Sequence, residues 1–167
     1  MLEAYEILAT ASGEYQEVVA TYEERKKSRH RTKTSAGVEI GWFLERGRVL
    51  EDGEYLRCSD GTVIKITAEM ESVSEVVSGA LLELTRAAYH LGNRHVPLQI
   101  GVQIGKESDA GFLRYQHDHV LDNMVRGLGL NVTHAKKSFH PENGAYHGSG
   151  HGHSHSHDED GGHTHSH

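Results

Sequence analysis

The sequence predicts an α+β fold, in which a small, sandwich-like β domain precedes a ferredoxin-like βαββαβ domain. Three observations lead to this prediction. Asp-Gly turn signals separate short apolar runs in the first 70 residues, apolar residues recur at helical spacing in two later segments, and a histidine-rich tail ends the chain. We therefore expect a β-rich domain over residues 1–70, a ferredoxin-like domain over residues 71–140 and a disordered tail over residues 141–167.

Short strands are expected in residues 1–70. The dipeptides Asp52-Gly53 and Asp60-Gly61 flank short apolar runs, a pattern typical of β-hairpins. Residues 63–66 form the last strong strand of this part. The basic run over residues 25–33 is either a partner surface or a solvated charged strand or loop, and the sequence leaves both interpretations open.

The next 70 residues alternate between strand and helix patterns. Ser78 is a suitable N-cap for the first helix, and Gly92-Asn93 is a suitable stop for it. The order strand, helix, strand, strand, helix, strand is that of a ferredoxin-like domain. These six segments are expected near residues 73–77, 81–91, 96–104, 112–115, 120–128 and 130–134.

Charge and composition exclude several functions. The chain has 17 Lys and Arg against 24 Asp and Glu, and this net negative charge disfavours general nucleic-acid binding. The single cysteine, Cys58, rules out an internal disulfide framework and a Cys-rich zinc site. No segment approaches the roughly 18 apolar residues of a membrane span, and Glu3 and Glu6 stand where a signal peptide needs positive charge. We therefore expect a cytoplasmic protein with neither a nucleic-acid nor a membrane partner.

The C-terminal tail is a predicted metal-binding segment. Histidine accounts for 15 of the 167 residues, and in the tail it alternates with Gly, Ser or Thr. Neutral imidazole suits nickel, copper and zinc, and small spacers let one flexible chain wrap an ion. A purification tag is usually an uninterrupted run, whereas this tail is interleaved and includes acidic residues. The tail ligands are predicted to be His147, His151, His153, His155, His157, His163, His165 and His167.

Three further histidines in the body of the chain are candidate ligands. His95 follows the expected helix stop, where a ligand or an ordinary surface residue would both fit. His117 and His119 flank Asp118 about 20 residues later. A spacing of two turns side chains about 200° apart on a helix, so the pair could meet at one ion only at a strand-to-helix corner. Asp118 could orient an imidazole or favour the helix N-terminus.

Four segments of the chain resemble the UreE family of urease accessory proteins, which are nickel metallochaperones. The most specific is residues 86–100, with Gly92-Asn93-Arg94-His95-Val96-Pro97 at its centre. Residues 113–121 and 141–146 continue the resemblance, and residues 46–53 add a weaker match. Together these segments extend over most of the body of the chain.

The resemblance implies a function and a set of partners. It implies a partner- or peptide-binding N-terminal domain and a metal-binding C-terminal domain that forms a homodimer. His95 would be the central nickel ligand, paired with its symmetry mate, and His117 and His119 a peripheral pair. The cargo would be Ni²⁺, with Zn²⁺ or Cu²⁺ as other ions the chain could bind. The urease apoprotein complex and its GTPase accessory protein would receive it, and the rich tail would add nickel capture or storage.

Two other functions remain to be weighed. A metal-dependent hydrolase could use His95, His117 and His119 with a bound water. Such an enzyme needs a fixed three-ligand site and a general base, and the sequence offers no such base, nor a hydrolase, nucleophile or phosphate-loop motif. A passive divalent-metal buffer would depend on the tail alone. The sequence therefore favours a chaperone that is not an enzyme.

Overall fold

The first sheet occupies residues 2–68 of a computed structural model, which describes residues 1–105 and 109–144. Its six strands run in the order β2-β6-β5-β1-β4-β3. Strand β1 pairs in parallel with β4, as does β2 with β6, and the other pairs are antiparallel. The elements are β1 Leu2–Leu8, β2 Gln16–Ala20, the one-turn helix α1 Tyr22–Arg25, β3 Arg29–Lys33, β4 Glu39–Phe43, β5 Tyr55–Cys58 and β6 Val63–Ala68.

The two Asp-Gly turns of this sheet behave differently. Asp60-Gly61 joins the antiparallel strands β5 and β6, and Gly61 has the positive φ that this turn requires, so this hairpin is confirmed. The hairpin expected at Asp52-Gly53 is wrong, because β1 lies between β4 and β5 in the sheet. Instead, the Asp52 carboxylate accepts a hydrogen bond from the Ala68 amide, and the Gly53 amide donates to Ile66. The turn therefore fastens the chain to the end of β6.

The second sheet has four strands in the order β10-β7-β9-β8, all antiparallel. This is the ferredoxin-like arrangement, so the predicted α+β class is confirmed. Buried apolar residues of both helices pack with those of β7 and β9 in one core. The elements are β7 Met70–Ser78, α2 Leu81–Asn93, β8 Gln99–Gln103, β9 Ala110–Gln116, α3 His119–Gly127 and β10 Thr133–Ser138.

Some local predictions for this sheet need correction. Ser78 is the last residue of β7, and the residue that caps α2 is Ala80, which makes no side-chain cap. The Ser78 hydroxyl instead accepts a hydrogen bond from the Ala80 amide at 3.0 Å. The last strand begins only at Thr133, because residues 128–132 complete the turn after α3. The tail histidines, from His147 to His167, lie outside the described residues.

A buried arginine connects the two sheets. Arg25, in α1, is only 1% exposed, so it does not belong to the solvent-exposed basic run expected from the sequence. One guanidinium nitrogen donates to the Leu50 carbonyl at 2.9 Å, and another donates to the carbonyl of Phe139, just after β10. Tyr22 adds an edge-to-face contact with the Phe139 ring. The end of the second sheet is thereby held against the first.

Replacing Arg25 with alanine should destabilise the protein. The change leaves two buried carbonyl groups without their donor, and we expect the free energy of unfolding to fall by about 2–4 kcal/mol. Urea denaturation followed by circular dichroism measures this difference. Arg29→Ala is the matched control, since Arg29 is exposed on β3 and should change stability by less than about 0.5 kcal/mol. Equal effects of the two variants would contradict the bridging role.

Candidate metal centre

His95 occupies a constrained backbone position at the end of α2. Arg94 is the C-cap, and His95 follows it with φ +56°, the single positive φ of a non-glycine residue in the described part of the chain. Its amide donates to the Gly92 carbonyl at 2.9 Å, which closes the helix end. This left-handed position usually holds glycine, and another residue there costs about 1 kcal/mol. Backbone strain of this kind is concentrated at functional sites.

The His95 imidazole is exposed. Within residues 1–105 and 109–144, no group of three close metal-ligating side chains includes it.

A second group of ligands forms where β9, β10 and α3 meet. Single nitrogen or oxygen atoms of His117, Asp122 and His134 all lie within 4.8 Å of one another. His134 Nε2 is 2.7 Å from Asp122 Oδ2, and His117 Nδ1 is 3.4 Å from the same oxygen. The two imidazole ring centroids are 4.2 Å apart. Two imidazoles and one carboxylate are a donor set that suits zinc, nickel or copper.

The register of the second sheet assembles this group. Ser74 of β7 pairs with Tyr115 of β9 on one side and with His134 of β10 on the other. Directly paired residues share a face of the sheet, so these three side chains form one row. His117 lies two residues beyond Tyr115 and therefore follows on the same side. Asp122, in the first turn of α3, contacts this row through the Tyr115 hydroxyl and the His134 ring.

Asp122 is a buried carboxylate whose hydrogen-bond partners keep it ionised. It is 1% exposed, and the Tyr115 hydroxyl donates to its Oδ1 at 2.8 Å. Burial by itself raises the pKa of Asp122, but hydrogen bonds from Ser74, Tyr115 and His134 outweigh burial and lower the pKa. For Tyr115, burial and the neighbouring carboxylate raise the pKa far above its usual value. The negative charge is therefore retained at neutral pH and faces the two imidazoles.

The remaining candidates of the His-Asp-His segment have other positions. Asp118 caps α3, with its Oδ1 accepting from the amides of Val120 and Leu121 at 2.8 and 3.1 Å. This favours the helix-capping interpretation of Asp118 over an orienting role. His119 is the first residue of α3 and is exposed, and it is not part of the His117 group. The pairing of His117 with His119 stays a prediction.

Sequence reasoning missed two members of the group. His134 was expected only as the end of a strand, and Asp122 had no assigned role. One signal was present for Asp122, because a carboxylate beside Leu121 and one turn before Val125 interrupts a buried helix face. His134 had no such signal, since its neighbours follow from strand register.

Exposed apolar side chains occur on both elements that flank His95 in the chain, α2 and the edge strand β8. Edge strand β8 begins four residues after His95, and α2 ends two residues before it. Large apolar side chains of both elements are exposed, up to 79% for Leu81 in α2, and Ile104, just after β8, is 89% exposed. The set comprises Leu81, Leu82, Tyr89, Ile100, Val102 and Ile104, and we call it the α2–β8 surface.

Among the described residues, no helix is long and apolar enough to span a membrane.

Comparison with known proteins identifies the family. Residues 2–69 match the N-terminal domain of the UreE urease accessory protein, and residues 71–167 match its C-terminal domain. A urease accessory protein UreE of Teredinibacter turnerae is 61% identical over 153 residues, which cover 90% of this chain and 94% of the relative. That of Saccharophagus degradans is 50% identical over 89% of this chain and 86% of the relative. The chain belongs to the UreE family of urease accessory proteins, which confirms the resemblance found in the sequence.

Removing the Tyr115 hydroxyl should destabilise the protein in a pH-dependent way. Tyr115→Phe deletes a donor to a buried carboxylate, and we expect a loss of about 1.5–3 kcal/mol at pH 7. A carboxyl group with a lowered pKa stabilises the fold above its ordinary pKa of about 4 and loses that contribution as the pH falls below it. The difference in the free energy of unfolding between Tyr115→Phe and the parent should therefore shrink as the pH is lowered.

Urea denaturation at pH 7 and at successively lower pH measures this difference. Tyr89→Phe is the matched control, because the Tyr89 side chain is exposed on α2. A difference that stays constant or widens in acid would show that Tyr115 acts by packing alone.

Proposed function

We propose that this chain is a non-enzymatic chaperone that carries Ni²⁺ to the urease active site during its assembly. The observation that carries the proposal is the position of His95 in a member of the urease accessory family: an exposed imidazole on a strained helix end, between two elements with exposed apolar side chains. The relatives are named for an accessory role in urease, and nickel is the cargo that such a role requires. Location in the cytoplasm is part of the same proposal.

A second copy of the chain would complete the His95 site. Exposed apolar surfaces larger than a few hundred Å² usually mark an interface, and a two-fold dimer uses the same surface on both chains. Because His95 connects the end of α2 to β8, burial of the α2–β8 surface in such a dimer would bring two His95 imidazoles near the axis. Two fixed imidazoles leave several positions on the ion for water or tail histidines. Such incomplete coordination allows the ion to pass to the next protein.

The N-terminal sheet offers a docking surface for the acceptor. Strand β3 lies at the edge of the sheet, and alternate residues along it, Arg29, Arg31 and Lys33, are exposed. An edge strand can pair with an extended segment of a partner, and a basic one favours an acidic partner. We propose that this edge contacts the urease apoprotein complex or its GTPase accessory protein.

A hydrolase receives less support. The His117 group supplies three possible ligands at a cleft that is otherwise lined by Ser72, Val73, Ala135 and Lys136. Within the described residues around that cleft, no further carboxylate or imidazole is positioned to activate water. The chaperone therefore accounts better for this arrangement.

Loss of His95 should abolish the tightest nickel site. Loss of an outer hydrogen-bond partner of a metal ligand already costs about 10–100-fold in metal affinity. We therefore expect His95→Ala, which removes the ligand itself, to lower the nickel affinity at least about tenfold and to impair urease activation at limiting nickel. His95→Gly should lose nickel equally but be at least as stable as the parent, because glycine adopts the left-handed conformation without strain.

Calorimetric nickel titration, dimer mass and urease activation measure these effects. His90→Ala is the matched control, since it removes an exposed imidazole from the same helix. Full urease activation by His95→Ala would rule out His95 as the delivery ligand.

Removing the tail should lower nickel capacity without removing the tight site. A chain that ends at Tyr146 lacks eight of the fifteen histidines, so the number of weak sites falls while the dimer and one tight site persist. The number of nickel ions bound per chain and the molecular mass in solution test this. An unchanged stoichiometry would contradict the proposed role of the tail. It would likewise rule out a passive metal buffer in which the tail is the whole function.

Neutralising the β3 edge should weaken docking. Replacing Arg29, Arg31 and Lys33 together by glutamine removes three exposed positive charges, so capture of the purified urease apoprotein complex should weaken while nickel binding is unchanged. Arg57→Gln is the control, because Arg57 is exposed on β5 and paired with Glu6. If the triple variant captures the complex as well as the parent at low salt, the docking surface lies elsewhere.

A further inference from the structure

We propose that His117, Asp122 and His134 form a metal site within each chain, which binds one divalent first-row ion such as Zn²⁺, Ni²⁺ or Cu²⁺. The proposal does not rest on the nickel-delivery function, and it does not involve His95. It assigns His134 and Asp122 as the ligands that join His117, and it does not include His119 in the site.

The geometry is close to that of a bound ion. In a tetrahedral site with bonds of about 2.0–2.1 Å, neighbouring ligand atoms lie about 3.3 Å apart. His117 Nδ1 and Asp122 Oδ2 are already 3.4 Å apart. His134 Nε2 and Asp122 Oδ2 are at hydrogen-bond distance, 2.7 Å, so these two atoms need to separate by roughly half an ångström. An ion would then replace the proton that the imidazole and the carboxylate share.

The surroundings of Asp122 prepare its carboxylate for an ion. Tyr115 holds Oδ1, and this leaves Oδ2 toward the two imidazoles. Such an outer hydrogen bond orients a ligating group, and its loss commonly lowers metal affinity by about 10–100-fold. Ser74 Oγ lies 3.1 Å from His117 Nδ1, so this contact would be exchanged for the ion when that nitrogen becomes a ligand. A buried negative charge faced by two imidazole rings favours a divalent cation.

The site is rigid and accessible at the same time. Its three ligands come from the residue after β9, from α3 and from β10. Sheet register positions the two histidines, and the Tyr115 hydroxyl holds Asp122 to the sheet. Both imidazoles are exposed to the cleft, about half for His134, so an ion can enter and a fourth ligand can bind. Lys136 at the rim brings a like charge, which opposes the ion only weakly because it is exposed to water.

The test needs a full-length chain in which other imidazole sites are removed. We specify a background with His95→Ala and with serine in place of the eight tail histidines. This background should bind one Zn²⁺ or Ni²⁺ per chain in calorimetric titration. Adding His134→Ala should lower that affinity at least about tenfold, whereas adding His90→Ala, the matched loss of an exposed imidazole, should not change it.

The His119→Ala variant tests whether His134 or His119 is the second imidazole ligand beside His117. If His134 is the ligand, the affinity of the His119→Ala variant stays within about twofold of the background. X-ray absorption of the zinc-loaded background should show two imidazoles and a carboxylate oxygen, and Asp122→Asn should weaken binding while preserving the size of the side chain. Circular dichroism of each variant verifies the fold.

Three results would overturn the proposal. The background could bind no ion, His134→Ala could bind as tightly as the background in a folded chain, or His119→Ala could abolish binding in place of His134→Ala. Because the background lacks His95 and urease activation is not measured, these failures are distinct from a failure of nickel delivery.

Discussion

The pairing of β7 with its two neighbours is the constraint on which the candidate site depends. Ser74 lies between Tyr115 and His134, so three residues from distant parts of the chain share one row. A slip of one residue in either pairing would turn one of these side chains to the opposite face. Apolar residues on the same face of the sheet prevent such a slip, because Val76 and Leu113 must face the core together with the Tyr115 ring. The burial of apolar side chains therefore places the polar ones.

Two buried charges are located where separate parts of the molecule join. Arg25 lies between the sheets and donates to carbonyl groups on both sides, and Asp122 lies between α3 and the second sheet. A buried charge destabilises a fold unless hydrogen bonds satisfy it. Removing its partners therefore destabilises the protein by more than the intact interaction stabilises it. Both residues therefore act mainly as determinants of position. For Asp122 the same partners that hold the carboxylate in place also orient it toward two imidazoles.

The candidate ligand histidines differ in their setting. His95 follows a strained helix end, strand register positions His117 and His134, and the tail histidines alternate in the sequence with Gly, Ser or Thr. Preorganised ligands lose less entropy on binding and therefore hold an ion more tightly.

The sequence by itself determined the α+β class, the order of the second sheet's elements and the family, and it predicted His95 as a candidate ligand. These follow from local information: apolar periodicity, Asp60-Gly61 at a hairpin, and a distinctive motif at a helix end. Tertiary structure alone decided that Asp52-Gly53 contacts β6, that Arg25 is buried, and that Asp122 and His134 join His117. Each of these depends on which strands become neighbours and in which register. Register is set by the packing of the whole core, so no local pattern around His134 could reveal that Asp122 lies 2.7 Å from its ring.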